Sequence, residues 1–530
     1  MGFNQFRDII IYYDGNVLIN EKVYPYNEYT LTELIESAKG FTNSKNSKFQ
    51  IWVWDMNPDF IKEEILLRFD NVKSLNKQKN GRQYFITDNF VFTSFKVIIT
   101  QGIDFVKSGK EPLEILKELV IDYRKSFRRV NYYANTHTAY CIKWAQKEFG
   151  YNAIKADLKR ETIENSRCPG IETKLLETLV YGNKAGVTWH NSTHEEKFLE
   201  HVYSYDAKSA YPSMCFYPDF PLGKLQNYKP LAENLYTCFS RGYWFAAEFV
   251  SEEIIELPGQ TFRPYYKNKE PHRFKDGYHY TVTPYDYLNL IQHFNYNPVE
   301  DKRLKMTRLC GTHEVGYLNK EYLDYWYKLY QAKSKATGIQ KLKCKGALNY
   351  QIGKGHTPSI IGKTAKERCH WYTNNYMCPQ FAQHIVAHQR YTITRLACKL
   401  GIENVLSLST DCIKSLDPRL ETIIEEFNYE QAKRMFDLGY TDTDLGQWEQ
   451  DNYRWLVFFR DRVYIGEHYD GTVSVALSSY KVPADLDITE LFESNRLERA
   501  MNDCADLWTS TEKRLKAKED YNGFKLEKHV

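Results

Sequence analysis

Apolar residues recur along this chain with two different periods, and the points where one period gives way to the other mark its organisation. Over positions 1–170, short runs rich in β-branched and aromatic side chains (Ile9 to Tyr13, Phe49 to Trp54, Phe90 to Ile99) alternate with stretches of helical period (Leu31 to Ala38, Pro112 to Arg129). That mixture predicts an α/β or α+β unit. The turn-forming Arg167-Cys168-Pro169-Gly170 closes it, giving a first domain over 1–170 and a second over 171–530. Val202 to Asp206 then alternates as a strand and runs into the tight Ser209-Ala210-Tyr211-Pro212-Ser213, and residues 223–318 read as irregular and β-rich. Two helices follow, Lys320 to Ser334 and Gly338 to Ile352, with Thr337-Gly338 as a short hairpin loop. From Pro379 to Leu400, Phe381, Ala382, Ile385, Val386, Ile393, Leu396, Ala397 and Leu400 share one side of a helix that Gly401 stops. Val405 to Leu408, then Ser409-Thr410-Asp411, then Cys412-Ile413-Lys414 predict a hairpin with a carboxylate at its tip. The tail beyond Leu486 is mostly helical in pattern, and no internal repeat is present.

Composition changes this picture little. A chain of 530 residues with 42% hydrophobic and 26% charged residues is an ordinary globular one, long enough for several structural units. The net charge of +3 says nothing about partners, but its distribution does. Between Asp301 and His356 there are twelve Lys/Arg against four Asp/Glu, whereas between Pro418 and Asn452 there are three against nine. The first stretch suits a polyanion, although a solvated helix face gives the same signal. Eleven cysteines with no C-x-x-C pair exclude a zinc ribbon or a thioredoxin-type site and fit free thiols in a reducing compartment. Met1-Gly2-Phe3-Asn4 opens no signal peptide, and no apolar run nears the length of a membrane span, so the expectation is a cytoplasmic protein without a membrane partner.

The candidate chemistry begins with two carboxylates. Asp206 ends one strand, and Asp411 sits in a hairpin turn 205 residues later. Transfer of a nucleotidyl group needs two divalent ions about 3.5–4 Å apart, held by at least two carboxylates on rigid elements. A lone Asp at a strand end is usually a cap or turn residue. The helix between the two supplies the third part, for Lys341, Lys345, Asn349 and Ile352 fall on one face, and Lys333 and Lys335 lie across the short loop. Such a face is commonly just solvated, but ammonium groups grouped in this way also suit a triphosphate.

These segments resemble the motifs of family B DNA polymerases. Tyr205-Asp206-Ala207-Lys208-Ser209-Ala210-Tyr211-Pro212-Ser213 is similar to motif A, D-x-x-S-L-Y-P-S. Lys345-Gly346-Ala347-Leu348-Asn349-Tyr350-Gln351-Ile352-Gly353 is similar to motif B, K-x-x-x-N-S-x-Y-G. Ser409-Thr410-Asp411 resembles the D-T-D of motif C, and Arg462-Val463-Tyr464 the K-x-Y that contacts the primer end. Lys184-Ala185-Gly186-Val187-Thr188-Trp189 and Leu445-Gly446-Gln447-Trp448 add a likeness to the small, protein-primed phage and linear-plasmid subgroup. The likeness covers about residues 180–500.

The resemblance implies an α+β right-hand polymerase: palm 171–222 and 377–484, fingers 319–356, thumb 485–530, insertions at 223–318 and 357–376, and an N-terminal exonuclease-like α/β domain. It implies that Asp206, the Ala207 carbonyl and Asp411 hold two Mg2+ ions, with Mn2+ as a substitute. Lys333, Lys341 and Lys345 would hold the triphosphate of a dNTP, with Tyr211 under its sugar and Asn349 beside the nascent pair. Lys184, Ala185 and Gly186 would touch template, and Arg462 and Tyr464 the primer strand. The partners are primer-template DNA, dNTPs and, within that subgroup, a priming terminal protein; the genome copied would be that of a phage or mobile element. Three departures stand out. Ser409 replaces the first Asp of motif C, Tyr350 and Ile352 replace the Ser and Tyr of motif B, and the stretch 1–170 contains no D-x-E to start an exonuclease site. Asp14, Asp55 and Asp122 are candidate remnants, and a degenerate domain is expected. Two rivals remain: a nucleotidyl transferase that needs no template, as in a defence role, and an inactive scaffold that only binds nucleic acid.

Some letter matches mislead. Tyr440-Thr441-Asp442-Thr443-Asp444 spells motif C better than Ser409-Thr410-Asp411 does, but it follows a helix-like stretch and Gly439, where carboxylates are usually solvated or capping. Asp411 is therefore preferred. Thr357 to Thr364 ends like a P-loop without its first glycine. His384 and His388, and likewise His190 and His194, stand four apart without reading H-E-x-x-H. Surface histidines on a helix are much the commoner case, and no metal is assigned to either pair.

Overall fold

The computed structural model describes residues 9–13, 16–19, 22–25, 50–54, 72–77, 83–89, 92–100, 137–149, 179, 182, 184, 186–195, 197–267, 270–271, 273–356, 379–441, 443–460 and 463–477. The predicted helices Leu31 to Ala38 and Pro112 to Arg129, the P-loop-like Thr357 to Thr364 and everything beyond 477 lie outside them, as do Asp14, Asp55 and Asp122. The chain divides into two compact units, Met1–Asp157 with Lys320–Gln351, and Leu158–Asn319 with Ile352–Val530. The division falls before the predicted turn at 167–170, and the lysine-bearing helical hairpin groups with the N-terminal unit.

The first unit carries a seven-stranded mixed sheet. Ile9–Tyr13, Gln50–Trp54 and Phe92–Thr100 pair in parallel at its centre, and antiparallel strands extend both sides. Parallel neighbours require crossover connections, so this is the α/β unit that the alternating periods predict. The helical hairpin forms as expected, with helices Lys320–Lys335 and Gly338–His356. Leu323, Trp326 and Tyr330 recur at helical spacing on its buried side together with Tyr325 and Leu329. The edge of Tyr325 meets Phe149 at 6.5 Å, and the Lys343 ammonium lies 4.3 Å from the centre of the Trp144 ring.

The second unit is built on an eight-stranded antiparallel sheet. Its centre is Phe198–Ala207, flanked on one edge by the hairpin strand Cys412–Ser415 and on the other by Tyr453–Arg460 and Trp448–Gln450. Strand alternation then decides which side chains face which way. Tyr205, Ala207, Leu408, Ile413 and Trp448 pack under Ile393, Leu396, Leu420, Ile424 and Phe427 of the helices Pro379–Leu400 and Arg419–Asp437. Burying side chains of this size contributes about 1.5–3 kcal/mol each, which fixes that face as the core. The opposite face receives Ser204, Asp206, Cys412, Lys414 and Glu449, in register with one another across the three strands.

Residues 223–318, expected to be irregular and β-rich, are β-rich, and most of their strands join in one ordered sheet. A five-stranded antiparallel sheet with Trp244–Ser251 at its middle packs on the helix Pro284–His293 around its own core of Phe245, Phe249, Phe262, Tyr280 and Leu290. Among the described residues, no helix is long and apolar enough to cross a membrane.

Candidate active site

Asp206 reaches its position through a break in the strand that bears it. His201 has φ +53, which shifts the alternation of Phe198–Ala207, so that Val202, Ser204 and Asp206 share the face away from the helices. A short way on, the chain turns sharply at Ser209 (φ +51) into the short helix Ala210–Ser213 that carries Tyr211. The segment 444–447 clamps this turn. The Lys208 N–H donates to the Gln447 carbonyl and the Gly446 N–H to the Lys208 carbonyl, both at 2.8 Å. The Lys208 ammonium meets Asp444 at 2.6 Å. Gly446 (φ +80) has to be glycine, because a Cβ there would lie 2.5 Å from the Ser213 Cβ.

Asp411 is delivered by the predicted hairpin, whose strands Val405–Ser409 and Cys412–Ser415 leave Thr410-Asp411 as a tight loop. Such loops favour positive φ, and Thr410 adopts +55 although a β-branched residue resists it. Its neighbours hold it there. The Thr410 N–H donates to the Val187 carbonyl at 2.6 Å, Gln389 Nε2 donates to the Thr410 carbonyl at 3.1 Å, and the Thr410 side chain bonds Tyr211. The Ala207 N–H donates to the Asp411 carbonyl at 2.7 Å, which ties the two acidic segments directly together.

The side chains of Asp206 and Asp411 line one cavity of about 510 Å³, with Ser409, Cys412, Lys414, Glu449, Asp451 and Tyr464 also on its wall. Asp206 is open to the cavity and enclosed by protein elsewhere. This loss of water, and next the charge of Asp411, push its carboxyl up to about 7, with Asp451 and Glu449 adding to the rise and Lys414 opposing it. The buried Lys414 ammonium lies 3.1 Å from Ser204 Oγ and about equally far from the Tyr453 and Tyr464 rings, 5.1 and 5.2 Å from their centres. A concave site with surplus negative charge and oxygen donors is what a hard divalent cation requires.

Tyr211 is held rigidly. Its hydroxyl bonds the Gly186 backbone and Thr410, and burial pushes it up to about 12. A Cβ on Gly186 would come within 2.7 Å of Thr410 and 2.9 Å of that hydroxyl, so glycine is required by close approach. Lys184, expected at the template, is turned inward. Its ammonium is buried 3.4 Å from Asp286 and donates to the Thr261 carbonyl, while Arg390 bonds Asp286 at 2.7 Å and the Lys184 carbonyl at 2.9 Å. This is a correction: with both neighbours buried, that side chain ties the segment before Gly186 to the 223–318 element instead of facing a strand. Ala185 and Arg462 lie outside the described residues.

Lys341, Lys345 and Asn349 are exposed along one side of the helix Gly338–His356, and Lys333 on the preceding helix lies 5.5 Å from the centre of the Tyr330 ring. They belong to the other unit. Sequence reasoning missed Glu449 and Asp451 as site residues. The signal was present in Leu445-Gly446-Gln447-Trp448, which runs directly into them, but their facing Asp206 depends on a pairing between strands far apart in the sequence.

No family model matches the chain, and no curated protein matches it in sequence. Solved structures do match, and the fold they share with this chain is that of DNA polymerases. The chain is similar to phi29 DNA polymerase complexed with primer-template DNA and incoming nucleotide substrates, with a TM-score of 0.53 and 13% identity over 90% of this chain and 92% of that one. It is similar also to phi29 DNA polymerase in a post-translocation binary complex with primer-template DNA, at 0.52 and 14% over 88% and 86%. At such identity the likeness is one of fold.

Proposed function

We propose that this chain is a DNA polymerase that adds dNTPs to the 3′ end of a primer paired with a template. The observation that carries the reading is the joining of Asp206, near the end of its strand, and Asp411, in the hairpin loop beside it, 205 residues apart in sequence, at one cavity under a polymerase-like fold. Asp206, Asp411 and the Ala207 carbonyl would hold two Mg2+ ions, which when bound activate the primer 3′ oxygen and neutralise the charge of the departing pyrophosphate. Glu449 and Asp451 supply the negative charge that Ser409 lacks. Lys414 counters the repulsion among these carboxylates and fixes the rings of Tyr453 and Tyr464. Tyr464, on the wall of the same cavity, would contact the primer end, and the rigid Tyr211 ring would exclude a 2′-hydroxyl from the sugar position. The assignment of Lys333, Lys341, Lys345 and Asn349 to the triphosphate and nascent pair, and of Arg462 to the primer strand, rests on the sequence motifs alone. Priming by a protein hydroxyl and a phage or mobile-element genome rest on the sequence motifs alone.

Ser409 at a position where a carboxylate is expected favours a second reading, a scaffold that binds DNA without extending it. Asp206→Ala separates the two. The variant is expected to bind primer-template DNA nearly as well as wild type, since basic groups on phosphates dominate affinity, and to lose nucleotide addition. A wild-type protein that binds DNA and never extends a labelled primer with Mg2+ and dNTPs would establish the scaffold.

A further inference from the structure

Beyond the cavity, a second set of ligand-type side chains meets within the same unit. His384 and His388, expected at a helix surface, are 1% and 3% exposed, because the helix Pro379–Leu400 is covered on its polar side as well. Asp219 accompanies them, with its Oδ1 3.0 Å from His384 Nε2. One donor atom from each of Asp219, His384 and His388 lies within 4.8 Å of the other two. Buried imidazoles normally have both nitrogens satisfied, yet Nδ1 of each of these rings is without a hydrogen-bond partner.

We propose that Asp219, His384 and His388 form a binding site for one divalent transition metal, zinc by preference, separate from the magnesium carboxylates. Two imidazoles and a carboxylate are borderline donors that suit zinc and do not suit magnesium, which takes oxygen ligands. Histidines one helical turn apart project from the same face, so a single ion can bridge them. Bonds of about 2.0–2.2 Å put tetrahedral donors about 3.4 Å apart, so a pair at the 4.8 Å limit closes by about 1.4 Å around the ion. The Asp219 side chain is 36% exposed, which leaves an entry route and room for a water as fourth ligand.

The surroundings orient the donors as outer-shell groups do. The Tyr285 hydroxyl donates to the other oxygen of Asp219, and its ring stacks on His388 with centroids 3.8 Å apart and planes at 12°. Tyr217 also packs edge-to-face with His388, the ring centroids 3.9 Å apart. The nearby cations are partly occupied, Arg395 with Glu430 at 2.5 Å and Arg434 over the Tyr217 ring at 3.5 Å. An ion here would join the Pro379–Leu400 helix to the segment that follows Ser213, and through Tyr285 to the Pro284–His293 helix.

The test uses the full chain without a histidine tag, stripped by chelator, equilibrated with Zn2+ or Co2+ and desalted. Wild type and Asp206→Ala are expected to retain about one equivalent per chain, with the visible bands of four-coordinate cobalt. His388→Gln and Asp219→Asn are expected to bind at least tenfold more weakly, with far-UV circular dichroism checking that they fold. If they do not fold, the wild-type uptake and cobalt spectrum decide alone. The proposal is overturned if wild type retains no metal, if its cobalt is only six-coordinate, or if folded variants keep the wild-type amount and spectrum.

Discussion

The elements that bring Asp206 and Asp411 to one cavity were readable because each is a local pattern that survives folding: an alternating strand into a tight turn for Asp206, and a short hairpin loop for Asp411. Glu449, Asp451 and Lys414 were not, since their roles arise from pairing with a strand far away in sequence. Histidines 384 and 388 misled for a related reason, as nothing local announces that a second layer covers them. Two predictions belong to this scale. Tyr211→Ala should admit ribonucleotides, because its ring is locked by Gly186 and Thr410 and has no room to yield; unchanged preference for dATP over ATP in single-nucleotide insertion would contradict it. The second concerns Asp206, raised to about 7 by burial and then by Asp411. Protons compete with the ion below that pH and not above it, so each unit of acidification below 7 should raise the Mg2+ needed for half-maximal extension by up to tenfold. A requirement that stays flat from pH 6 to 8 would refute the assignment of that group.

Elements were legible where a single period ran unbroken. The helix Pro379–Leu400 and the strands Val405–Ser409 and Cys412–Ser415 fall at or within a residue of the positions predicted from apolar spacing and Gly401. The 223–318 segment was read as irregular and β-rich: its β content was legible, but its sheet order is not sequential, so the pairing could not be read along the chain. Beside apolar and aromatic contacts, a buried polar cluster joins it to the rest of its unit. Asp286 is fully buried between Arg390 and Lys184 and is capped by Thr283. Asp286→Ala leaves two cations buried without their partner, so urea unfolding at pH 7 should show a loss of about 3–5 kcal/mol. Burial opposes ionisation of Asp286, but Arg390 and Lys184 outweigh it and hold the carboxyl below its ordinary value. Its contribution is therefore present above about pH 4 and is lost as pH falls further, and the variant's deficit should shrink in acid. A deficit at pH 7 too small to measure, under about 1 kcal/mol, would show that the triad is dispensable.

At the scale of the whole molecule, motif order and fold point the same way although sequence identity to phi29 DNA polymerase is only 13–14%. Dispersed contacts preserve an architecture long after letters have diverged, which is why the ordered motifs were informative when overall matching was not. Proofreading is expected to be absent, for positions 1–170 contain no D-x-E and a two-metal exonuclease needs several clustered carboxylates. Trimming of a mismatched 3′ end by the pure protein, abolished by changing Asp14, Asp55 or Asp122, would overturn this. The central claim is that Asp411, in its hairpin loop beside Asp206, is catalytic, while Asp444, paired with Lys208, only supports the turn. Extension of a labelled primer on a longer template, with Mg2+ and dNTPs, compares them directly. Wild type should extend, Asp444→Ala should extend within a few-fold of it, and Asp411→Ala should not extend at all. Full activity in Asp411→Ala, or its loss in Asp444→Ala alone, would contradict the account and move the site to Asp444.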